Sequence, residues 1–350
     1  MAHLLQHIPD RTILVDGKEY LYFGGTAYLG LQSHAPFMEI FLKNVQQYGL
    51  HYGASRKSNV ALEVYPQAEE WLSQWAGSEA CVTLSSGYLA AQLVVQTLLQ
   101  KGHPLFAAPN AHTALLVHGV VQTQSFKELH QQTTLALEEN PKGKPPVVLF
   151  DTLDFSGRQF PNFEALRELP LEKIILVGDD SHGIGIVGEQ GKGCYTLLKD
   201  LNPAQLMVCC SLGKGLGIQA GAVLGTSDSI QMLRNTAFYG GASPAPPAFM
   251  GTLLDAAPIY RERRAVVMEH LELFKKSLHS LETFTHIEGH PSFEFSNPEL
   301  AKSLEKNGFV FTNFNYPDDN GPIISRIVLS AYHQKEDILR LANDLNRLMS

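Results

Sequence analysis

Val177-Gly178-Asp179-Asp180-Ser181-His182-Gly183 follows the apolar run Ile174-Ile175-Leu176, and Ser211-Leu212-Gly213-Lys214-Gly215 follows Leu206-Met207-Val208-Cys209-Cys210. Each is a short, continuously apolar stretch that ends in polar residues and glycine, the pattern of a strand buried on both faces. Similar runs occur at residues 80–84, 105–108, 147–150 and 222–224, and helical spacing fills several of the intervals, as at 88–99. Continuous apolar strands separated by helices predict an α/β fold with a mostly parallel sheet covered on both sides. Ligands in such sheets bind where the strands end at their carboxyl side. Ser86-Gly87, Asp179 to His182 and Ser211 to Lys214 all fall at such ends, so three strand predictions point to one crevice.

The flanks differ. Residues 11–23 alternate around Asp16-Gly17, a hairpin turn pair. Phe37, Ile40, Phe41, Val45 and Tyr48 have helical spacing, as do Leu62, Val64, Ala68, Leu72 and Trp75. Gly240-Gly241-Ala242-Ser243-Pro244-Ala245-Pro246-Pro247 interrupts the alternation and is expected to lead into a second, smaller α+β domain. That domain would hold a helix at 258–281, strands at 309–314 and 323–329, and a last helix at 335–349. The expected division is an N-terminal arm and hairpin over 1–40 packing with the small domain, a large domain over 41–238, and the small domain over 239–350.

The 350 residues are 44% apolar and 18% charged, the balance of a globular enzyme-sized chain. A formal net charge of −8 leaves no basic footprint for nucleic acid. No apolar run is long enough to span a membrane, and the first ten residues lack the basic and apolar regions of a signal peptide. Cys81, Cys194, Cys209 and Cys210 lack metal-ligand spacing, so buried, reduced thiols in a cytoplasmic protein are expected, with no metal site.

A lysine between glycines and an acid at the end of a neighbouring strand are what pyridoxal 5'-phosphate (PLP) chemistry needs. The lysine forms a Schiff base with the aldehyde, and the acid keeps the pyridine nitrogen protonated. Taken alone, Gly213-Lys214-Gly215 is a weak signal, and Gly191-Lys192-Gly193 is its internal competitor. Only Lys214 follows an apolar run. Asp179 suits the ring nitrogen, Asp180 a structural role, and His182 either a loop position or a donor to the cofactor's phenolic oxygen. Ser86 at a helix start is an N-cap and also part of an anion site. His112 is either a cap or a ring-stacking group. Arg326, a charge within the apolar stretch Ile323 to Leu329, needs a partner: an acid of this chain or a substrate carboxylate.

As an ordered set these residues resemble the α-oxoamine synthase family of PLP-dependent enzymes, of the aminotransferase class I/II fold. The resemblance runs over nearly the whole chain: Tyr28-Leu29-Gly30-Leu31, Tyr52-Gly53-Ala54-Ser55-Arg56, Ser86-Gly87-Tyr88, His112, Asp179 to Gly188, Lys214, and Arg326 with Leu329-Ser330-Ala331-Tyr332-His333. It implies the PLP-dependent transferase fold type I, with a mostly parallel seven-stranded sheet in the large domain. It also implies a homodimer with shared active sites, an amino acid and an acyl-CoA as substrates, and a carbanion that attacks the thioester. By the resemblance Lys214 is the Schiff-base lysine, Asp179 faces the ring nitrogen, His182 contacts the phenolic oxygen and His112 stacks on the ring. Lys214 and His112 are the implied proton carriers. Ser86, Gly87, Tyr88 and Ser211 hold the phosphate, Ser243 reaches the phosphate of the neighbouring subunit, and Arg326 receives the amino acid's carboxylate.

Four stretches depart from the family pattern. Ala27 stands where the family has Asn, and Asn59-Val60 where it has Ser-Gly. Tyr65-Pro66-Gln67-Ala68-Glu69 replaces a His-x-x-Leu-Glu helix, and Thr152-Leu153-Asp154-Phe155-Ser156 replaces Ser-Met-Asp-Gly-Asp. The cofactor residues are kept while the substrate residues have drifted. The competing expectations are a PLP-dependent aminotransferase or aldolase-like lyase on the same fold, and a non-catalytic binding protein.

Overall fold

The computed structural model describes residues 3–155, 159–316 and 319–349; Ser156, read above among the departures, lies outside them. Its strands are β1 (Thr12–Val15), β2 (Lys18–Phe23), β3 (Ala80–Leu84), β4 (Leu105–Ala107), β5 (Val120–Gln122), β6 (Val147–Asp151), β7 (Ile175–Asp179), β8 (Gln205–Ser211), β9 (Gly221–Gly225), β10 (Thr285–His286), β11 (Ser292–Phe295), β12 (Phe309–Asn315) and β13 (Ile323–Val328). They fall into two compact units, one of residues 40–257 and one of residues 1–39 with 258–350.

The larger unit is built on a seven-stranded sheet in the order β3-β9-β8-β7-β6-β4-β5. β9 runs antiparallel to both of its neighbours; the other pairings are parallel. Every residue of β7 and β9 is buried, which is why these stretches are apolar without alternation. The helix Gly87–Gln100 supplies Leu93, Val94 and Val95 to a core shared with Val82, Val177, Met207 and Val223. Because β3, β6, β7 and β8 run the same way, Ser86, Asp151, Asp179 and Lys214 all lie on the carboxyl edge of this sheet.

Two features of the larger unit differ from the sequence expectation. β5 is an unanticipated edge strand of three residues, too short to give a pattern. The second difference is the passage expected at residues 239–247, which lies inside the larger unit; the chain leaves that unit at Ala257. Hydrogen bonds explain this. The Ser243 carbonyl accepts the Ser85 N–H at 3.2 Å, and the Ala245 carbonyl accepts the Tyr65 hydroxyl at 2.7 Å.

The smaller unit carries a six-stranded sheet, β1-β2-β12-β13-β11-β10. Asp16 and Gly17 both have positive φ, 50° and 79°, the geometry of a tight two-residue hairpin turn. β2 then pairs in parallel with β12, tying the N-terminal hairpin to the C-terminal part of the chain. Phe23, Phe274, Phe293, Phe309, Ile327 and Leu341 make up much of the core. On the alternate positions of β11 and β13, Glu294 sits directly across from Arg326.

His333, singled out with the Leu329 to His333 stretch, is structural. Its ring stacks on Phe23 at 4.0 Å. Its Nδ1 accepts the Ser330 N–H at 2.9 Å, and its Nε2 lies 2.9 Å from the Tyr22 carbonyl, so the neutral ring carries its proton on Nε2. A second proton on Nδ1 would face an N–H. Burial accordingly pushes its pKa down to about 4. The folded state then binds fewer protons than the unfolded one below the ordinary histidine value. The stability His333 confers is present above about pH 6.5 and is lost as pH falls towards 4, up to about 3 kcal/mol. Thermal unfolding followed from pH 7 to pH 4.5 is expected to show a steeper acid loss for the wild type than for His333→Gln.

Candidate active site

The loop after β7 is built on two carboxylates with separate tasks. Asp180 is 1% exposed. It accepts the Thr152 hydroxyl at 2.6 Å and the Cys194 N–H at 2.9 Å, pinning the loop to two other segments. Burial pushes its pKa up to about 6, and those hydrogen bonds oppose the shift. A side chain at Gly183 or Gly193 would run into this carboxylate at about 2 Å, which is why both positions lack one. The structural role expected of Asp180 is therefore seen directly.

Asp179 is also buried, and its Oδ1 accepts the Ser181 N–H at 2.9 Å. The Ser181 hydroxyl in turn accepts the Ser211 N–H at 2.8 Å, so the ends of β7 and β8 are locked in register above the sheet. Beyond Ser211 the chain turns through Lys214 and returns as β9. The Leu212 N–H donates to the Ala220 carbonyl at 2.9 Å, and the Ile218 N–H to the Leu212 carbonyl at 3.0 Å, which closes this link at its base. A Cβ on Gly215 would lie 2.3 Å from the Ile184 carbonyl, so the loop carrying the lysine packs directly on the loop carrying His182.

That packing brings Lys214 Nζ to 2.9 Å from His182 Nε2. Phe155 meets the His182 ring edge-on at 5.5 Å. Lys192 has a different fate: its ammonium pairs with the exposed Glu189 carboxylate at 2.8 Å, an i,i+3 pair on the surface. Of the two Gly-Lys-Gly stretches, it is the one with Lys214 that the fold brings to the carboxyl edge of the sheet.

On the other side of β8, Ser86 caps the helix Gly87–Gln100 by accepting the Leu89 N–H at 3.2 Å. A Cβ on Gly87 would sit 2.7 Å from the Ser211 Cα and Cβ. Only a glycine lets the helix start come this close to the strand end. The first amides of a helix are an anion site. Tyr88, the second residue of this helix, is 55% exposed.

His112 follows β4. Its N–H donates to Asp151 Oδ1 at 3.2 Å, and its Nδ1 accepts the Ala114 N–H at 3.1 Å. In the neutral ring the proton therefore sits on Nε2. Burial lowers its pKa, with Asp179 opposing and Lys214 reinforcing the shift. The geometry makes His112 a donor at Nε2 rather than a base there.

Asp151 was not singled out from the sequence. It ends β6 directly beside Asp179 in register. Burial, together with Asp179 beside it, holds its carboxyl well above the ordinary range. The signal was available: an acid closing the apolar run 147–150 is the same pattern that marked Asp179. Ser243 lies on a cleft of about 420 Å³ with His51, Tyr52, Ser55 and Gly240. Arg326, in the smaller unit, pairs with Glu294, its Nε donating to Oε1 at 2.7 Å and its Nη2 to the same oxygen.

An amine beside an imidazole, a buried carboxylate at a neighbouring strand end, and a hydroxyl-capped helix start opened by a glycine form a donor set that fits PLP. No protein-family model matches the chain. It is 30% identical over 354 residues to 8-amino-7-oxononanoate synthase of Serratia proteamaculans, an alignment covering 96% of this chain and 91% of that one. The chain belongs to the α-oxoamine synthase family. Solved structures with the same fold include a serine palmitoyltransferase with PLP (TM-score 0.79, 16% identity, 99% of this chain and 92% of that one). Another is 8-amino-7-oxononanoate synthase of Francisella tularensis (TM-score 0.70, 18% identity, 94% and 98%). As an α-oxoamine synthase the protein is a PLP-dependent transferase of fold type I, with an acyltransferase favoured over an aminotransferase.

Proposed function

We propose that this chain joins an amino acid to an acyl-CoA-like donor on PLP held at the carboxyl edge of the seven-stranded sheet. A carbon–carbon bond forms between the α-carbon and the acyl carbon, the thioester C–S bond breaks to release the CoA thiol, and the α-carboxylate leaves as carbon dioxide. The observation that carries this reading is the 2.9 Å contact of Lys214 Nζ with His182 Nε2, at the edge where Asp179 lies buried. Bound PLP supplies the electron sink that makes an α-bond of the amino acid breakable.

The chain's own residues do the rest. Lys214 holds the cofactor's aldehyde and moves protons at Nζ. Asp179 holds positive charge at the ring nitrogen, and His182 orients the phenolic oxygen side. His112 stacks on the ring and donates from Nε2. Ser86, Gly87, Tyr88 and Ser211 hold the phosphate, and Arg326 meets the amino acid's carboxylate. The position of Ser243 on an open cleft supports a homodimer in which it serves the partner's phosphate. Among the described residues no helix is long and apolar enough to cross a membrane. The four cysteines are free and buried, which supports a cytoplasmic setting.

The test is product analysis with an amino-acid panel, with and without acyl-CoA. Stoichiometric release of CoA thiol and carbon dioxide is expected. Formation of a 2-oxo acid with no CoA requirement would overturn the reading.

A further inference from the structure

The smaller unit contains a charge pair whose geometry bears on substrate choice. Glu294 and Arg326 occupy directly opposed positions on antiparallel β11 and β13. One carboxylate oxygen, Glu294 Oε1, accepts from both Nε and Nη2 of Arg326, so it takes the side edge of the guanidinium. The two side chains are only 15% and 23% exposed, so water screens this pair weakly. The wall beside it is neutral: Tyr28 is fully buried, and burial lifts its hydroxyl to about 12, while Ser292 is also fully buried. At residue 27 the chain offers no polar side chain. The Ala27 carbonyl is already used, accepting the Ser330 hydroxyl at 2.8 Å and the Gly30 N–H at 2.9 Å.

We infer that Glu294 is a specificity-determining residue: it shares Arg326 with the incoming carboxylate and so reduces the weight that carboxylate carries in selecting the amino substrate. This rests on the reading of Arg326 given above. A guanidinium already neutralised by an internal acid attracts a second anion far less than a lone one does. The chain then discriminates weakly between an amino acid and the corresponding amine without its carboxylate. Selection falls on the amino group and on the rest of the molecule.

The experiment is a spectral titration of the PLP-loaded protein with three pairs: glycine and methylamine, L-alanine and ethylamine, and L-serine and ethanolamine. The ratio of dissociation constants within each pair reads the carboxylate's contribution directly, without turnover. The wild type is expected to favour the acid by no more than about tenfold, and Glu294→Gln, which keeps the shape and removes the charge, to raise that ratio by about tenfold through tighter acid binding alone. Glu294→Asp, which keeps the charge, is expected to retain the wild-type ratio. A purely structural pair would change thermal stability and leave the ratio in place, and that result overturns the inference. Equal tightening of acid and amine overturns it as well. Should Glu294→Gln fail to fold, the wild-type ratio decides, since a preference above about a thousandfold for the acid is incompatible with a neutralised Arg326. A PLP-loaded protein with no spectral response to any of the six compounds would instead sink the functional reading itself.

Discussion

Lys214→Ala is expected to lower turnover by on the order of 10⁴-fold or more and to abolish the visible absorption band that the wild type develops with PLP. The side chain brings its amine to 2.9 Å from His182 Nε2. Lys192 is held on the surface by Glu189, so Lys192→Ala should leave both band and turnover intact and serves as the matched control. The link that carries Lys214 is closed at its base by backbone bonds of Leu212, Ile218 and Ala220, so the variant should fold. A small primary amine added to the medium is expected to restore part of the lost turnover. Retention of the band in Lys214→Ala would remove this lysine from the chemistry.

Asp179→Asn is the second large effect, roughly 10²- to 10³-fold in turnover. The substitution is close to isosteric. An asparagine Oδ1 still accepts the Ser181 N–H that Asp179 now takes at 2.9 Å, so the β7–β8 link survives. What would disappear, on the proposed function, is the carboxylate expected to face the ring nitrogen. Asp151 next door does not replace it, because burial, the main reason its carboxyl lies well above the usual range, persists when the Asp179 charge is removed. The measurement is steady-state turnover alongside the thermal midpoint. Unchanged folding with turnover within tenfold of the wild type would show that the charge is not needed.

Much of this crevice was legible in the sequence because its strands are buried on both faces. A continuous apolar run with an abrupt polar end is visible without any partner, and Asp179, Ser211 and Lys214 were placed that way. Asp151 carried the same signal but stood one residue beyond a run read as ending at Phe150. The site's finer chemistry was not readable. The Nδ1 bond that makes His112 a donor depends on Ala114 lying within reach, which is a property of the loop and not of the residue type. The smaller unit was less legible for a related reason. β11 is four residues long, Ser-Phe-Glu-Phe, and alternates too briefly to stand out. Without β11 the partner of Arg326 has no position, and the choice between an internal acid and a substrate carboxylate stays open. The domain passage was misplaced because Gly240 to Pro247 looks like a linker in composition. Two hydrogen bonds, to Ser85 and from Tyr65, make it part of the larger unit.

The link that carries Lys214 joins two adjacent antiparallel strands and is closed at its base by Leu212, Ile218 and Ala220. The lysine is therefore a short arm on a fixed post. On the proposed function, a Lys214 amine displaced from the cofactor would have no route of retreat other than rotation of its own methylenes. It would stay tethered beside the cofactor, at an effective concentration no dissolved amine could match. Anchor and proton carrier would then be the same group at successive moments, and the stiffness of a two-strand hairpin is what would make that reuse possible.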